Sequence, residues 1–442
     1  MLLIGNGPLI TRDIEHPFYA NGAVVIQDER ILDAGSLEQM KRTYPIAEFH
    51  DAAGKLIMPG YLDTHEHIYS AFARGGAIAP VAPNGFLAIL NEIWWKLDSH
   101  LLLEHTYYSA VMTYLECIRN GVTFVNDHHA SYGQIRNSLF RIADAAALLN
   151  IRTCLAYEIS DRNGIAARNE AITESMEFAD YTCKNPSNML SSMIGLHASF
   201  TLSDETLSIC RRENTHNLGY HIHVAEGAED EMDSQRRYHK SVTRRLVDEE
   251  ILNSKSVAGH CIHISETDRK LLRDCGVMVV HNPESNMGNA VGTPNILKFF
   301  EEGILTGLGT DGYTHDMLES LKVAQILMKH DQHRSDIGFT EACRMLFLNN
   351  AVIAGTILQD KIGILKKGAL ADLILVDYTP ATPLNEGNMD GHLMFGVQGS
   401  MTDTTMINGT FVMKNRKILT ADETLLLSEC RRSAEDLWRQ LH

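Results

Sequence analysis

The sequence has little of what marks secreted or membrane-spanning proteins. Its eight cysteines, spread over 442 residues, form no Cys-x-x-Cys pair, and scattered single thiols favour a reducing compartment over a disulfide framework. No uninterrupted apolar run approaches the roughly 20 residues that span a bilayer. Residues 1–7 have neither the charged start nor the apolar stretch of a signal peptide. We therefore expect a cytoplasmic protein without a membrane partner.

Positive charge is also scarce. The chain has 39 Lys and Arg against 56 Asp and Glu, a formal net charge of −17 at pH 7. Binding to a phosphate backbone needs clustered cations, so we expect no nucleic-acid partner. Proline is sparse (11 residues), and 44% of the chain is hydrophobic; this is globular composition, long enough for one large and one small domain. The 21 histidines are unusually many, and their positions carry the functional argument.

Both ends of the chain have the pattern of short β-strands. Residues 22–35 consist of two apolar runs around a polar turn, which is typical of a hairpin. Residues 368–377 and 406–413 are further strand-like runs, and residues 422–441 have the apolar spacing of an amphipathic helix. We predict a small β-sandwich domain built from residues 1–57 plus 358–442, with a C-terminal helix.

The middle of the chain alternates strand-like and helix-like segments. Each of eight apolar runs ends in polar or ionisable residues: His65-Glu66-His67, Asp127-His128-His129, Glu158, His197, His221-Ile222-His223, His260, His281-Asn282 and Asp311. Alternating strands and helices imply parallel pairing. Eight such units predict an α/β fold, a (β/α)₈ TIM-type barrel over residues 58–357, whose chemistry lies at the carboxyl ends of the strands.

The strongest local motif is His65-Glu66-His67. Residues i and i+2 of a strand face the same side, so both imidazoles point into the barrel, where they suit Zn²⁺ or a similar divalent ion. The alternative is a histidine pair that makes ordinary hydrogen bonds at the barrel rim. Glu66 faces away from the lumen by the same alternation, and we expect it to be a structural partner.

Three further clusters follow in order. His221 and His223 share one strand face, and Glu226 comes just after that strand. We interpret His223 as the better metal ligand and His221 as a hydrogen-bonded histidine one layer deeper. His260 ends the sixth apparent strand and Asp311 the eighth. An isolated Thr-Asp-Gly is usually only a turn, but catalytic zinc needs several protein ligands, an open position for water and a nearby carboxylate.

This ordered set resembles the amidohydrolase superfamily, in its deaminase and triazine-hydrolase (chlorohydrolase, ATZ/TRZ-like) branch. The resemblance spans essentially the whole chain through residues 58–60, 74–75, 281–286, 309–312 and 371–374. More narrowly, the chain is similar to the SsnA-type aminohydrolases, with matches at residues 94–98, 127–131, 161–164 and 197–200. The resemblance determines the chemistry better than it determines the substrate.

The resemblance also implies roles. It makes His65, His67, His223 and Asp311 the ligands of one divalent metal, Zn²⁺ with Fe²⁺ as the alternative. It makes Glu226 and His260 the acid/base and polarising residues, with Asp311 accepting a proton. It places His197, Asn282, Ser285 and Asn286 near the substrate. The binuclear cyclic amidases of the superfamily use a carboxylated lysine at the fourth strand; residues 193–197 contain none, so we expect one metal.

Other candidate substrate contacts are open to two interpretations. Trp94 and Trp95 could stack on a flat ring, although adjacent tryptophans more often pack a helix onto a barrel. His128 and His129 leave the second strand on opposite faces, so only one of them can face the site. Arg74 and Asp127 could anchor polar substituents or form structural ion pairs.

Together these patterns predict a zinc-dependent aminohydrolase that deaminates a purine-, pterin- or pyrimidine-like heterocycle and releases ammonia. The alternative within the same fold is a triazine-type or cyclic-amide hydrolase with another leaving group. A non-catalytic barrel that serves as a binding subunit is the remaining hypothesis, and the intact set of histidines and carboxylates argues against it. A homodimer is plausible for a barrel of this size.

Overall fold

Two sets of strands, one largely antiparallel and one parallel, organise the chain in a computed structural model that describes residues 1–76, 78–79 and 81–441. The strands are β1 (Leu2–Ile10), β2 (Phe18–Gln27), β3 (Arg30–Ser36), β4 (Glu48–Asp51), β5 (Leu56–Pro59), β6 (Tyr61–Glu66), β7 (Val122–His129), β8 (Arg152–Tyr157), β9 (Leu190–Ser192), β10 (Ile194–Ala198), β11 (Tyr220–Val224), β12 (Val257–His260), β13 (Met278–His281), β14 (Thr306–Leu308), β15 (Leu373–Val376), β16 (Thr402–Ile407), β17 (Thr410–Lys414) and β18 (Lys417–Ile418).

The helices connect and cover these strands. They are α1 (Leu37–Thr43), α2 (Phe86–Ile89), α3 (Trp95–Asp98), α4 (Leu103–Arg119), α5 (Ser138–Leu149), α6 (Gly164–Lys184), α7 (Asp204–Glu213), α8 (Ala228–Tyr238), α9 (Val242–Asp248), α10 (Glu266–Asp274), α11 (Pro283–Gly288), α12 (Ile296–Glu301), α13 (Met317–Gln332), α14 (Phe339–Arg344), α15 (Asn350–Leu358), α16 (Met389–Phe395) and α17 (Glu423–Leu441). Short 3₁₀ turns cover Ile68–Ala73, Ser199–Thr201 and Gly399–Met401, and π-helical turns cover Leu90–Trp94 and Met345–Asn349. Within the described residues no helix has the length and apolarity to cross a membrane.

Strands from both chain ends form the small β domain. Its nine-stranded sheet has the order β18-β17-β16-β15-β5-β1-β2-β3, and β4 pairs with β1. The join between the two chain ends is the antiparallel pairing of β5 with β15, in which Ile57 lies opposite Leu375. The predicted domain boundary at residues 57/58 falls inside β5, and the division into domains remains a prediction.

Eight parallel strands form the barrel. β6, β7 and β8 pair in one sheet, with β9 at its edge, and β10 to β14 pair in the other. Isolated parallel bridges connect the two sheets at both edges, Glu66 to Asp311 and Ile159 to Leu196. The predicted polar strand endings therefore lie together at one mouth of the barrel, and the prediction of a (β/α)₈ barrel with a small β domain is confirmed.

Two local features hold the first barrel strand and the turn after it in place. Asn350 spans the seam between the first and last barrel strands: its Nδ2 donates to the carbonyls of Leu62 (2.7 Å) and Leu308 (2.8 Å). The C-terminal helix α17 buries Cys430, Ser433, Leu437 and Leu441, the spacing of one helical face. Trp438 of this helix donates through Nε1 to the carbonyl of Phe72 (2.8 Å), just after the first barrel strand.

A buried ion pair joins the barrel to the β domain. Arg152 at the start of β8 donates through Nε and Nη2 to the two carboxylate oxygens of Asp372, at 3.0 and 2.9 Å. Both side chains are almost completely inaccessible to solvent. Asp372 also accepts from the backbone N–H of Asn408 (2.8 Å), so all the charge here is matched by hydrogen bonds, as a buried carboxylate requires.

Candidate metal centre and substrate cavity

Three histidines point their Nε2 atoms at one place in the barrel mouth. His67 Nε2 lies 3.0 Å from His223 Nε2, and His65 Nε2 is buried with no hydrogen-bond partner in the described part of the chain. The opposite nitrogen of each ring is occupied. His65 Nδ1 lies 2.7 Å from His221 Nε2, and the Nδ1 atoms of His67 and His223 donate to the carbonyls of His128 (2.5 Å) and His197 (3.0 Å).

The two contacts to carbonyl oxygens fix the tautomers of His67 and His223. A ring whose Nδ1–H donates to a carbonyl presents an Nε2 lone pair, which is the arrangement of metal-ligating histidines. Burial and the neighbouring imidazoles also hold the pKa of His65 and of His223 well below the usual value, which keeps both rings in the neutral form that binds metal.

Asp311 completes the donor set. Its carboxylate oxygens lie 3.5 Å from His67 Nε2 and 4.0 Å from His65 Nε2. Ligands about 2.1 Å from a tetrahedral ion stand roughly 3.4 Å apart, so the spacing suits a divalent metal. The unpartnered Nε2 of His65 is consistent with such a site. Asp311 has a left-handed backbone (φ +56°), which turns its side chain from the end of β14 into the barrel mouth.

His260 and Glu226 lie beside this donor set. His260 Nε2 is 3.4 Å from Asp311 Oδ2 and 3.6 Å from Glu226 Oε2. His260 Nδ1 lies 2.8 Å from Asn286 Oδ1, which orients the ring. Glu226 Oε1 accepts from Asn289 Nδ2 (3.1 Å), leaving Oε2 on the side of His260. Burial raises the pKa of the Glu226 carboxyl, although His260 opposes the effect.

A cavity open to solvent lies above these groups. Of the residues predicted from sequence, the following line it: His67, Trp94, Trp95, His197, His223, Glu226, Ser285 and Asp311. Trp94 belongs to the π-helical turn after the first strand, and Trp95 begins α3. Both tryptophans therefore face the cavity and also pack on barrel residues: Trp95 lies edge-on to His197 with ring centroids 5.9 Å apart.

Five of the residues predicted to contact the substrate do not line this cavity. Asn286 binds His260, and Asn282 Nδ2 lies 3.5 Å from His260 Nε2. His128 lies below the cavity with Nδ1 3.4 Å from His223 Nε2, whereas His129 on the other strand face packs near Tyr69 and Tyr157.

Arg74, the fifth of these residues, forms a bidentate ion pair with Glu116 (2.6 and 2.9 Å). Asp127 is likewise structural, since its carboxylate accepts from the N–H of Ile68 (2.9 Å). Glu66 turns away from the metal donors and accepts from the hydroxyl of Thr310 (2.6 Å), with His315 Nδ1 at 3.2 Å. Each of these three charged groups is therefore already paired: Arg74 in a salt bridge, Asp127 with a backbone N–H, and Glu66 in a buried hydrogen-bond network.

Seven cavity residues were not assigned a role from sequence: Tyr69, Ser70, Leu90, Glu158, Asn289, Gly312 and Tyr313. Glu158 carried a usable signal, because it ends the third apparent strand as the other site residues end theirs. Burial raises its pKa to about 8, although Arg162 opposes the effect. Asn289 carried none, because its contact with Glu226 depends on the path of α11.

Comparison with known proteins places the chain in a family. Residues 56–412 match the model of the amidohydrolase family. The chain is 30% identical to the 5-methylthioadenosine/S-adenosylhomocysteine deaminase of Pelotomaculum thermopropionicum over 445 residues, covering 98% of each chain. Its fold is similar to that of an adenosine deaminase from Xanthomonas campestris solved with bound zinc (TM-score 0.87, 21% identity, 99% and 98% of the two chains). It is also similar to the zinc complex of atrazine chlorohydrolase from Arthrobacter aurescens (TM-score 0.84, 17% identity, 98% and 100%).

The chain belongs to the amidohydrolase family. It is a hydrolase of carbon–nitrogen bonds other than peptide bonds and acts on a small molecule, as predicted. The expected divalent-metal cofactor is confirmed by the family together with the buried histidine and carboxylate groups able to hold an ion.

Proposed function

We propose that this protein is a zinc-dependent aminohydrolase that replaces the amine of a purine-like nitrogen heterocycle with oxygen and releases ammonia. The observation that carries the proposal is the buried carboxyl of Glu226, which faces the cavity 3.6 Å from His260 and beside the convergent imidazoles. A carboxyl with a raised pKa retains the proton that a ring nitrogen must receive. The named deaminase relative adds support.

The metal set that we propose is His65, His67, His223 and Asp311. His65, His67 and Asp311 have donor atoms within 4.8 Å of one another, and so does the overlapping group of His67, His128, Glu158 and His223. We favour the first set because it gives a partner to the buried, unpartnered Nε2 of His65 and includes Asp311. A bound divalent ion supplies the acidity that makes a water nucleophilic near neutral pH.

The chain's own residues then carry the proton transfers. Asp311 accepts the proton that the attacking water loses, and His260, held by Asn286, stabilises the new oxygen at the reacting carbon. Glu226 gives its proton to the ring nitrogen next to that carbon, which makes the carbon electrophilic. Overall, the ring C–NH₂ and one water become a ring carbonyl and ammonia. Trp94 and Trp95 offer flat apolar surfaces for the ring.

Ammonia release tests the proposal. Metal-quantified protein is assayed with purines, pterins, pyrimidines and triazines, beside Glu226→Gln. We expect release from one ring class and a loss of about 10²–10⁴-fold in the variant, with its metal content unchanged. Glu229→Gln, three residues further on and outside the cavity lining, is the matched control and should match the wild type.

Two results would contradict the proposal. Turnover near the wild-type rate in Glu226→Gln would remove its role as the acid. Chloride release from a chlorotriazine without ammonia from any ring would move the reaction to the alternative leaving group. A homodimer and a cytoplasmic location remain expectations, and light scattering of the purified protein tests the first.

A further inference from the structure

Glu158 is a buried carboxyl that faces the substrate cavity and has no assigned role. It follows β8, the third barrel strand, and is 2% exposed to solvent. Its backbone is fixed: the N–H donates to the carbonyl of His129 (2.7 Å), and its carbonyl accepts from the hydroxyl of Tyr132 (2.8 Å). The carboxyl is therefore held at the cavity wall by its own strand.

This carboxyl has no close hydrogen bond among the described residues. The nearest donors are His128 Nδ1 at 3.5 Å, Arg162 Nη2 at 4.0 Å and His223 Nδ1 at 4.0 Å. Two of these three donors have closer partners than Glu158. Arg162 Nη2 donates to Asp98 (2.6 Å), and His223 Nδ1 donates to the carbonyl of His197 (3.0 Å). The open side of Glu158 is the substrate cavity, from which a bound ligand can supply the hydrogen bond that the protein does not.

Glu158 and Glu226 approach the cavity from different strands. Glu226 follows the fifth strand and lies against His260, whereas Glu158 follows the third strand and lies against His128. Glu226 serves a ring nitrogen that lacks a proton. Glu158 has a different requirement, because in either protonation state at least one oxygen of a carboxyl accepts a hydrogen bond, so the missing partner is a donor on the substrate.

We propose that Glu158 contacts the substrate and makes the enzyme selective for rings that carry a hydrogen-bond donor in addition to the amine that is lost. The inference rests on the proposed function. The donor is a ring N–H or a second amine, as in 2-amino-4-oxopyrimidine rings of guanine or pterin type. A 9-substituted adenine-type ring offers, beyond its leaving amine, only nitrogen acceptors. A site built to bind such a donor strongly rejects an analogue that lacks it.

A matched pair of substrates tests this selectivity. 9-Methylguanine keeps the ring N–H, and 9-methyladenine has no donor besides its amine. We expect wild-type kcat/KM to be at least about 10²-fold higher for 9-methylguanine. Glu158→Leu should lower that preference at least tenfold, whereas Glu158→Gln, which keeps an acceptor oxygen, should retain most of it. The control is Glu174→Gln: this buried carboxylate accepts from two backbone N–H groups outside the cavity, and its variant should keep the full preference.

Binding supplies a readout that does not need turnover. In a Glu226→Gln background, quenching of Trp94 and Trp95 fluorescence gives Kd for both compounds, with Glu158 intact or replaced, at measured metal content. Tighter binding of 9-methylguanine that depends on Glu158 supports the inference even if no ring releases ammonia, in which case only the proposed function fails. Equal affinity for both rings, a preference for 9-methyladenine, or an equal loss on both rings in Glu158→Leu overturns the inference.

Discussion

His221 is expected to set metal affinity although it does not face the metal donors. Of the three convergent histidines, His67 and His223 are oriented by hydrogen bonds to backbone carbonyls, which no side-chain substitution removes. His65 instead rests on a side chain, because its Nδ1 lies 2.7 Å from His221 Nε2 and both rings are completely buried. Replacing His221 with Phe keeps an aromatic ring against His128, whose centroid is 4.5 Å away, but removes the acceptor that orients His65.

Loss of such a partner typically weakens metal binding 10–100-fold, which corresponds to about 1.4–2.7 kcal/mol. The assay is competition for Zn²⁺ against a chromogenic chelator of known affinity, with circular dichroism to confirm folding. His129→Phe is the control, because His129 is equally buried and neither ring nitrogen has a hydrogen-bond partner in the described chain; its zinc affinity should not change. Zinc affinity in His221→Phe equal to that of the wild type would refute the argument that this contact orients His65.

Three further predictions follow from other contacts. Asn286→Leu should retain the metal but lower kcat about 10–100-fold, because His260 loses the acceptor 2.8 Å away; Asn286→Asp, which keeps that acceptor, should recover much of the rate, and failure of this recovery would argue against an orienting role. Burial raises the pKa of Glu284 to about 7, above the value of about 4.3 in an unfolded chain. The folded state therefore binds this proton more tightly, and the group costs stability progressively as pH rises from about 4 to about 7. Glu284→Gln should raise the melting temperature at pH 8 by calorimetry, with a gain that shrinks towards pH 4.5; the same gain at both pH values would be inconsistent with titration of this group. Arg152→Met should lower the free energy of unfolding by about 3–5 kcal/mol, since it leaves Asp372 buried and unpaired; urea unfolding measures this, and a loss below 1 kcal/mol would mean that the charge finds another partner.

Sequence patterns predicted the barrel because its strands carry a position-specific signal. Apolar runs that end in polar residues indicate strands that reach the functional mouth, so the endings at His65, His197 and Asp311 predicted the barrel strands and a candidate site. Position along the strand distinguished His223, nearer the barrel mouth, from His221 one layer deeper. The alternation of side chains separated Glu66 from its two neighbours. These arguments depend on local geometry alone, which a strand fixes over two or three residues.

The remaining parts of the site depend on contacts between distant segments. Arg74 pairs with Glu116 of α4, and Asn286 reaches His260 from the following strand unit. Neither distance can be inferred from spacing along the chain. Trp94 and Trp95 were predicted in part. The sequence left open whether they pack a helix onto the barrel or stack on a substrate ring, and the structure places both against the cavity. Glu158 had the right position but no characteristic motif, so its chemistry emerges only from its missing partner.

The pairing of β5 with β15 has a consequence for synthesis of the chain. The two strands lie about 300 residues apart, and a ribosome adds about 5–20 residues per second, so the first strand waits roughly 15–60 s for its partner. During this interval β5 presents an unpaired sheet edge, the kind of surface that recruits other chains. The barrel strands emerge in that time and can close first. The small β domain is therefore completed last, and a nascent chain interrupted before residue 372 would lack both Asp372, the partner of Arg152, and the strand that covers β5.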